Sequence, residues 1–203
     1  MPEGEANADA DTAALRYRIN SQRRIRGTGH FTRGWIIGSA NPSPLVSNAL
    51  SHNGTYAAFA GGSLPLQFCG FGNEPSGDSS FYQEFGPVPA GAVLSFWHWD
   101  CTGLFDFDYK AAYITDTSGN ILLTIYSQAA NCQSWVQQTV DLSPWVGQTI
   151  GVKFLVHQDG AGDLTVMFVD DVGVFLPGPC LPTPTPTPRA TPTPRGRPTP
   201  PPR

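Results

Sequence analysis

The residues in this chain best suited to chemistry are carboxylates and large aromatic rings. Asp170 and Asp171 are adjacent in a run, residues 164–175, that reads as a β-strand, so their side chains point to opposite faces. If Phe168, Val172 and Val174 face a core, Asp170 faces it too. A carboxylate buried there needs a cation or several backbone amides. Calcium would meet the first need, because it takes oxygens from loops and carboxylates. Glu74 and Asp78, in a Gly-rich loop, would then add ligands. Backbone amides alone would meet the second need without a metal.

The aromatic residues imply recognition rather than turnover. In Ala92-Val-Leu-Ser-Phe-Trp-His-Trp-Asp100, Leu94 and Phe96 share one face of a strand and Trp97 and Trp99 the other. Flat rings on an outer face stack against sugar C–H faces, and neighbouring polar groups bond the hydroxyls. A covering loop, or a reversed parity that turns the rings into core, accounts for the same pattern. Catalytic motifs are missing. The four histidines (His30, His52, His98, His157) fall in no HExxH pattern, and no GxSxG is present. Asp106 and Asp108 alternate with Phe105 and Phe107 and would share a face. They offer paired carboxylates for glycoside hydrolysis, or simply a solvated strand edge. The expectation is a protein that is not an enzyme.

Positioning these side chains requires strands. LPLQF, SSFYQEF, AVLSFWHW, YKAAYITD, ILLTIYS, SWVQQTVDL, TIGVKFLVH and LTVMFVDDVGVF are short, rich in β-branched and aromatic residues, and bounded by turn residues. Asp116-Thr-Ser-Gly-Asn120 reads as a hairpin turn and Gly160-Ala-Gly-Asp163 as a flexible turn before a strand. No window holds a helical period. Eight or more strands within about 150 residues predict an all-β sandwich or barrel. Residues 1–28 form an acidic, then basic, N-terminal arm in which Leu15, Ile19 and Ile25 would bury little, so it is expected to be disordered. It serves either as an anion-binding segment or as a solvated one. Residues 29–176 form the domain. Residues 177–203, which hold 12 of the 20 prolines, read as a Thr-Pro-rich linker or stalk of extended polyproline type.

Charge and cysteine content narrow the partners. Residues 35–176 carry twelve acids against Lys110 and Lys153, so nucleic acid is excluded as a partner. No apolar run reaches membrane-spanning length, so no membrane insertion is expected. Cys69, Cys101, Cys132 and Cys180 have no CxxC spacing. They imply either disulfides and an oxidising compartment or four buried thiols. Sandwich loops cluster at two poles, which places a Cys101–Cys132 bridge within geometric reach and leaves Cys69 with Cys180. The N-terminus lacks the apolar segment of a signal peptide, implying a misplaced start, a fragment or another export route.

An ordered set of phrases resembles a bacterial family. His52-Asn-Gly-Thr-Tyr-Ala57, Gly77-Asp-Ser-Ser-Phe-Tyr-Gln83, Pro89-Ala-Gly-Ala-Val-Leu-Ser-Phe-Trp97, Trp135 with Val140-Asp-Leu-Ser143 and Trp145-Val-Gly-Gln148, and Phe168-Val-Asp-Asp-Val172 carry the likeness. They resemble the MAM-like domains and the C-terminal domains of immune inhibitor A-type secreted proteins, with galactose-binding-like carbohydrate modules more distant. The resemblance implies a jelly-roll β-sandwich of two antiparallel sheets. It puts Ala112 and Ile114 inward and hence Tyr109 and Tyr113 outward. If their strand neighbours that of Trp97 and Trp99, four rings line one outer face. The family opens with Phe-Glu-x-Gly before a Trp, and that Glu can serve a structural calcium. Here Phe31-Thr-Arg-Gly-Trp35 has Thr32 instead.

The expected function is a non-catalytic extracellular or cell-surface accessory or adhesion module, monomeric, binding carbohydrate or a cell-surface protein. The alternative is a structural spacer of a larger secreted hydrolase with no ligand of its own.

Overall fold

The computed structural model of the protein describes residues 34–62, 70–103 and 107–176. The expected arm (1–28), the linker (177–203), Thr32, Asp106, Cys69, Cys180 and the LPLQF strand lie outside these residues. Twelve strands follow one another: β1 (Ile36–Ala40), β2 (Leu45–Ser47), β3 (Ala57–Gly61), β4 (Gly70–Phe71), β5 (Gly77–Phe85), β6 (Val93–Cys101), β7 (Tyr109–Thr115), β8 (Ile121–Gln128), β9 (Trp135–Asp141), β10 (Ile150–Gln158), β11 (Asp163–Leu164) and β12 (Val166–Phe175). A single 3-10 turn, Ser143–Trp145, is the helical element among the described residues.

Two five-stranded antiparallel sheets, β1-β5-β10-β7-β8 and β2-β3-β12-β6-β9, make a β-sandwich, with β11-β4 as a small extra ladder. The period-2 pattern decides what fills the space between them. Leu94 and Phe96 of β6, Ala112 and Ile114 of β7, and Val152, Phe154 and Val156 of β10 are all fully buried in one cluster. Phe154 meets Phe96 across the sandwich edge to face, with ring centroids 4.9 Å apart, and lies 5.2 Å from Phe81 of β5. The Asp116–Asn120 hairpin turn joins β7 to β8. The Asp116 carboxylate accepts the Ser118 and Asn120 amides at 2.9 and 2.8 Å, and Gly119 supplies the left-handed φ of +85°.

One end of the core is polar. His98 and Asp100 follow Leu94 and Phe96 on the inward face and pair at 3.0 Å. Gln128 donates to Asp100 at 3.0 Å, and the buried Lys110 ammonium donates to the Ala130 carbonyl at 2.6 Å. Tyr126 stacks on His98 at 4.4 Å and donates its hydroxyl to Met167. Burial, then the Asp100 charge, pushes the Tyr126 phenol well above its ordinary range.

A second, smaller core lies on the far side of β2-β3-β12-β6-β9. Ala57, Phe59, Cys101, Val166 and Phe168 are buried there, with Leu45, Leu50, Trp99 and Trp135 packed against them. The expected strand parity at the end of β12 is therefore wrong. Met167 and Val169 face between the sheets, and so do Val172 and Val174, while Phe168 and Asp170 face away. The switch occurs at a register shift between Asp170 and Gly173, where Asp171 takes a left-handed φ of +49°. A bulge inserts the extra residue and exchanges the faces.

The Cys101–Cys132 bridge does not form. Cys132 is an exposed free thiol, whereas Cys101 is buried and disulfide-bonded. Both sit near one pole, as expected from the loop argument, but Cys101 points into the small core and Cys132 into solvent.

Two outcomes follow. Trp99 packs its ring 5.8 Å from Phe168, so Trp99→Ala should lower unfolding free energy by about 2–3 kcal/mol, measured by urea denaturation. An unchanged midpoint would mean that the small core contributes nothing. The Tyr126 phenol is held protonated in the folded state, so its share of stability is present below the ordinary value of 10.0 and is lost as pH rises past it. Ultraviolet titration should show one tyrosine ionising only together with alkaline unfolding, a phase that Tyr126→Phe removes.

Candidate functional site

The four aromatic residues expected on one face are divided between the two sheets. Trp97 and Trp99 do point away from the main core, but on β2-β3-β12-β6-β9. The segment between β2 and β3 covers them. His52 stacks on Trp97 at 3.9 Å and 15°, and meets Trp135 edge-on at 5.5 Å. Asp170 fastens this segment. Its carboxylate accepts the amides of His52 at 3.0 Å, Asn53 at 3.1 Å and Asp171 at 2.7 Å, while Asp171 pairs with the His52 ring at 2.8 Å. Burial raises the Asp170 pKa and these amides oppose the rise. Backbone amides thus supply partners that a buried carboxylate needs.

Tyr109 and Tyr113 belong to the outer face of the other sheet, and there a surface does assemble. The register aligns Tyr82 of β5, Lys153 of β10 and Tyr113 of β7 in one row across the three inner strands. Four residues along, Asp78, His157 and Tyr109 form a second row. Between them Ser80, Leu155 and Ala111 are buried. The second row is braced, with His157 2.7 Å from Asp78 and Tyr109 stacked on the imidazole at 5.1 Å. Burial, together with the Asp78 charge, pushes both tyrosine pKa values up, so both phenols are hydrogen-bond donors at neutral pH.

Lys153 is the one cationic Lys or Arg of the described residues that is not buried, and it pairs with no acid among them. It borders a cleft of about 230 Å³ with Tyr82, Glu84 and the Asp116–Gly119 turn. Gly38 of the edge strand also lines it, packed so closely that a Cβ there would lie 2.7 Å from Ser80 Oγ. Aromatic edges, an ammonium and a carboxylate at a shallow cleft can hold a polyhydroxylated chain by stacking and hydrogen bonding. Sequence reading found Tyr109 and Tyr113 but missed Tyr82, Lys153 and His157. Their alternation with Phe81, Phe154 and Val156 was the available signal.

A carboxylate cluster occupies one pole. Oxygens of Glu74, Asp108 and Asp163 lie within 4.8 Å of one another. Glu74 follows β4, Asp108 immediately precedes β7, and Asp163 begins β11, which pairs with β4 through Phe71. Asp108 is buried, so the solvated strand edge expected for it does not exist. Two carboxylates at that separation repel by about 3 kcal/mol at an effective dielectric of about 20. Burial first, then Asp108, raises the Glu74 pKa.

Among the described residues no helix is long and apolar enough to cross a membrane. No protein-family model matches the chain, and no curated protein matches it. The fold is similar to solved β-sandwich domains. One is TmCBM61, solved in complex with β-1,4-galactotriose, at 19% identity and TM-score 0.50 over 73% of this chain and 91% of that one. Another is the K1 cleaved adhesin domain of Lys-gingipain from Porphyromonas gingivalis W83, at 17% identity and TM-score 0.50 over 72% and 93%. At such identity the likeness establishes a shared fold, that of carbohydrate-binding modules and adhesin domains.

Proposed function

We propose that the domain is a non-catalytic, extracellular glycan-binding module, and that its ligand lies along the outer face of β1-β5-β10-β7-β8. The observation that carries this reading is the row Tyr82–Lys153–Tyr113 beside the cleft, on three hydrogen-bonded strands. The braced row Asp78–His157–Tyr109 lies parallel to it. A site built on strands holds its side chains in fixed register, which limits the entropy lost on binding. Each stacked ring adds about 0.5–1.5 kcal/mol beyond area burial. Two or three rings and a few hydroxyl bonds give a single-site affinity of roughly millimolar to micromolar. Weak single sites suit a displayed module, where repeated copies raise avidity. The Thr-Pro segment would serve as the stalk. The likeness to MAM-like and immune inhibitor A-type domains belongs to the same proposal and rests on the ordered phrases of the sequence.

Affinity electrophoresis through gels containing soluble polysaccharides tests this, with β-1,4-galactan as the first probe and xylan next. The wild type should be retarded by at least one polysaccharide. Tyr82→Ala and Lys153→Ala should each weaken retardation about three- to tenfold while leaving the melting temperature nearly unchanged. A wild type that no polysaccharide retards would favour the spacer reading. Retardation lost in Trp97→Ala but kept in Tyr82→Ala would put the ligand on the opposite face.

A further inference from the structure

We infer that Glu74, Asp108 and Asp163 form a calcium-binding site at one pole of the sandwich, separate from the proposed glycan face. Three carboxylates converge within 4.8 Å. Acidic groups do cluster without metal, so the decisive observation concerns single oxygens. Asp108 is 2% exposed, and its Oδ1 accepts the Asp159 amide at 2.8 Å, yet its Oδ2 is buried with no hydrogen-bond partner. Glu74 repeats the pattern, with Oε2 accepting the Gly162 amide at 2.6 Å and Oε1 buried without a partner. Buried polar atoms are almost always satisfied. Here one oxygen of each acid is fixed by the backbone while the other is left open within the cluster.

The donor set specifies the kind of ion. Among the described residues every donor of the cluster is a carboxylate oxygen, a set that suits a hard cation rather than zinc or copper. The ligands come from three separate segments around glycine-rich turns, Gly70, Gly72, Gly160 and Gly162 among them. Such loops meet the loose, high coordination number of calcium more readily than the strict octahedron of magnesium. The ion would fasten the segments around β4, β11 and the start of β7. Asp108 directly precedes Tyr109 and Asp159 follows shortly after His157, so the clamp would steady the end of the braced row.

The test uses the full chain stripped with a chelator. Equilibrium dialysis against radiocalcium should show one ion per chain, with magnesium a poor competitor. Calcium at about a hundredfold excess over its dissociation constant should raise the melting temperature by about 5–10 °C. Asp108→Asn should weaken calcium binding by about tenfold or more and remove most of that rise. Glu74→Gln provides the same reading should the first variant fail to fold. Absence of binding by the wild type at about millimolar calcium would overturn the site. So would calcium binding that is unchanged in Glu74→Gln and Asp108→Asn, because the ion would then sit elsewhere. None of these readouts involves a polysaccharide, so failure here leaves the glycan reading intact.

Discussion

The molecule depends on the aromatic contact at the middle of the sandwich. Phe154, on the central strand of one sheet, meets Phe96 of the other at 4.9 Å and has Phe81 at its side. Because side chains alternate along a strand, these three inward rings determine what faces outward. Phe81 inward places Tyr82 outward, Phe154 inward places Lys153 outward, and Phe96 inward places Trp97 outward. A one-residue slip would exchange every member of the outer rows with the core, so register and surface chemistry share one cause.

The two outer faces then take different fates. On β2-β3-β12-β6-β9 the segment before β3 folds over the tryptophan face, with His52 stacked on Trp97 and held by Asp170 through the His52 and Asn53 amides. The bulge at Asp171 makes this possible by turning Asp170 outward, while Val172 and Val174 return to the core. On β1-β5-β10-β7-β8 the described residues show no ring stacked on Tyr82, Lys153 or Tyr113 of the three inner strands, and these side chains, with Tyr109, are partly exposed.

Local patterns were legible in the sequence and long-range pairings were not. The β6 alternation and the Asp116–Asn120 turn follow from neighbouring residues alone. The two-sheet jelly-roll class came from strand spacing and the ordered phrases together. Sheet membership escaped, because β6 and β7 follow each other in the chain yet lie in opposite sheets, and this divided the expected four-ring platform. A bulge adds one residue without any compositional sign, so the Asp170 parity could not be read. Glu74, Asp108 and Asp163 lie far apart in sequence, and only the pairing of β4 with β11 brings the first and last together. The cysteine pairing failed for a similar reason, since closeness at a pole does not determine which way a thiol points.

The central claim is that the open tyrosine-and-lysine face, and not the covered tryptophan face, is where ligand binds. Backbone amide NMR during titration with a soluble oligosaccharide of whichever polysaccharide retards the protein tests it most directly. The account predicts that fast-exchange shifts concentrate at Tyr82, Lys153, Tyr113 and the Asp116–Gly119 turn, with the amides around His52 and Trp97 unmoved. Shifts confined to His52, Trp97 and Trp135 would contradict it.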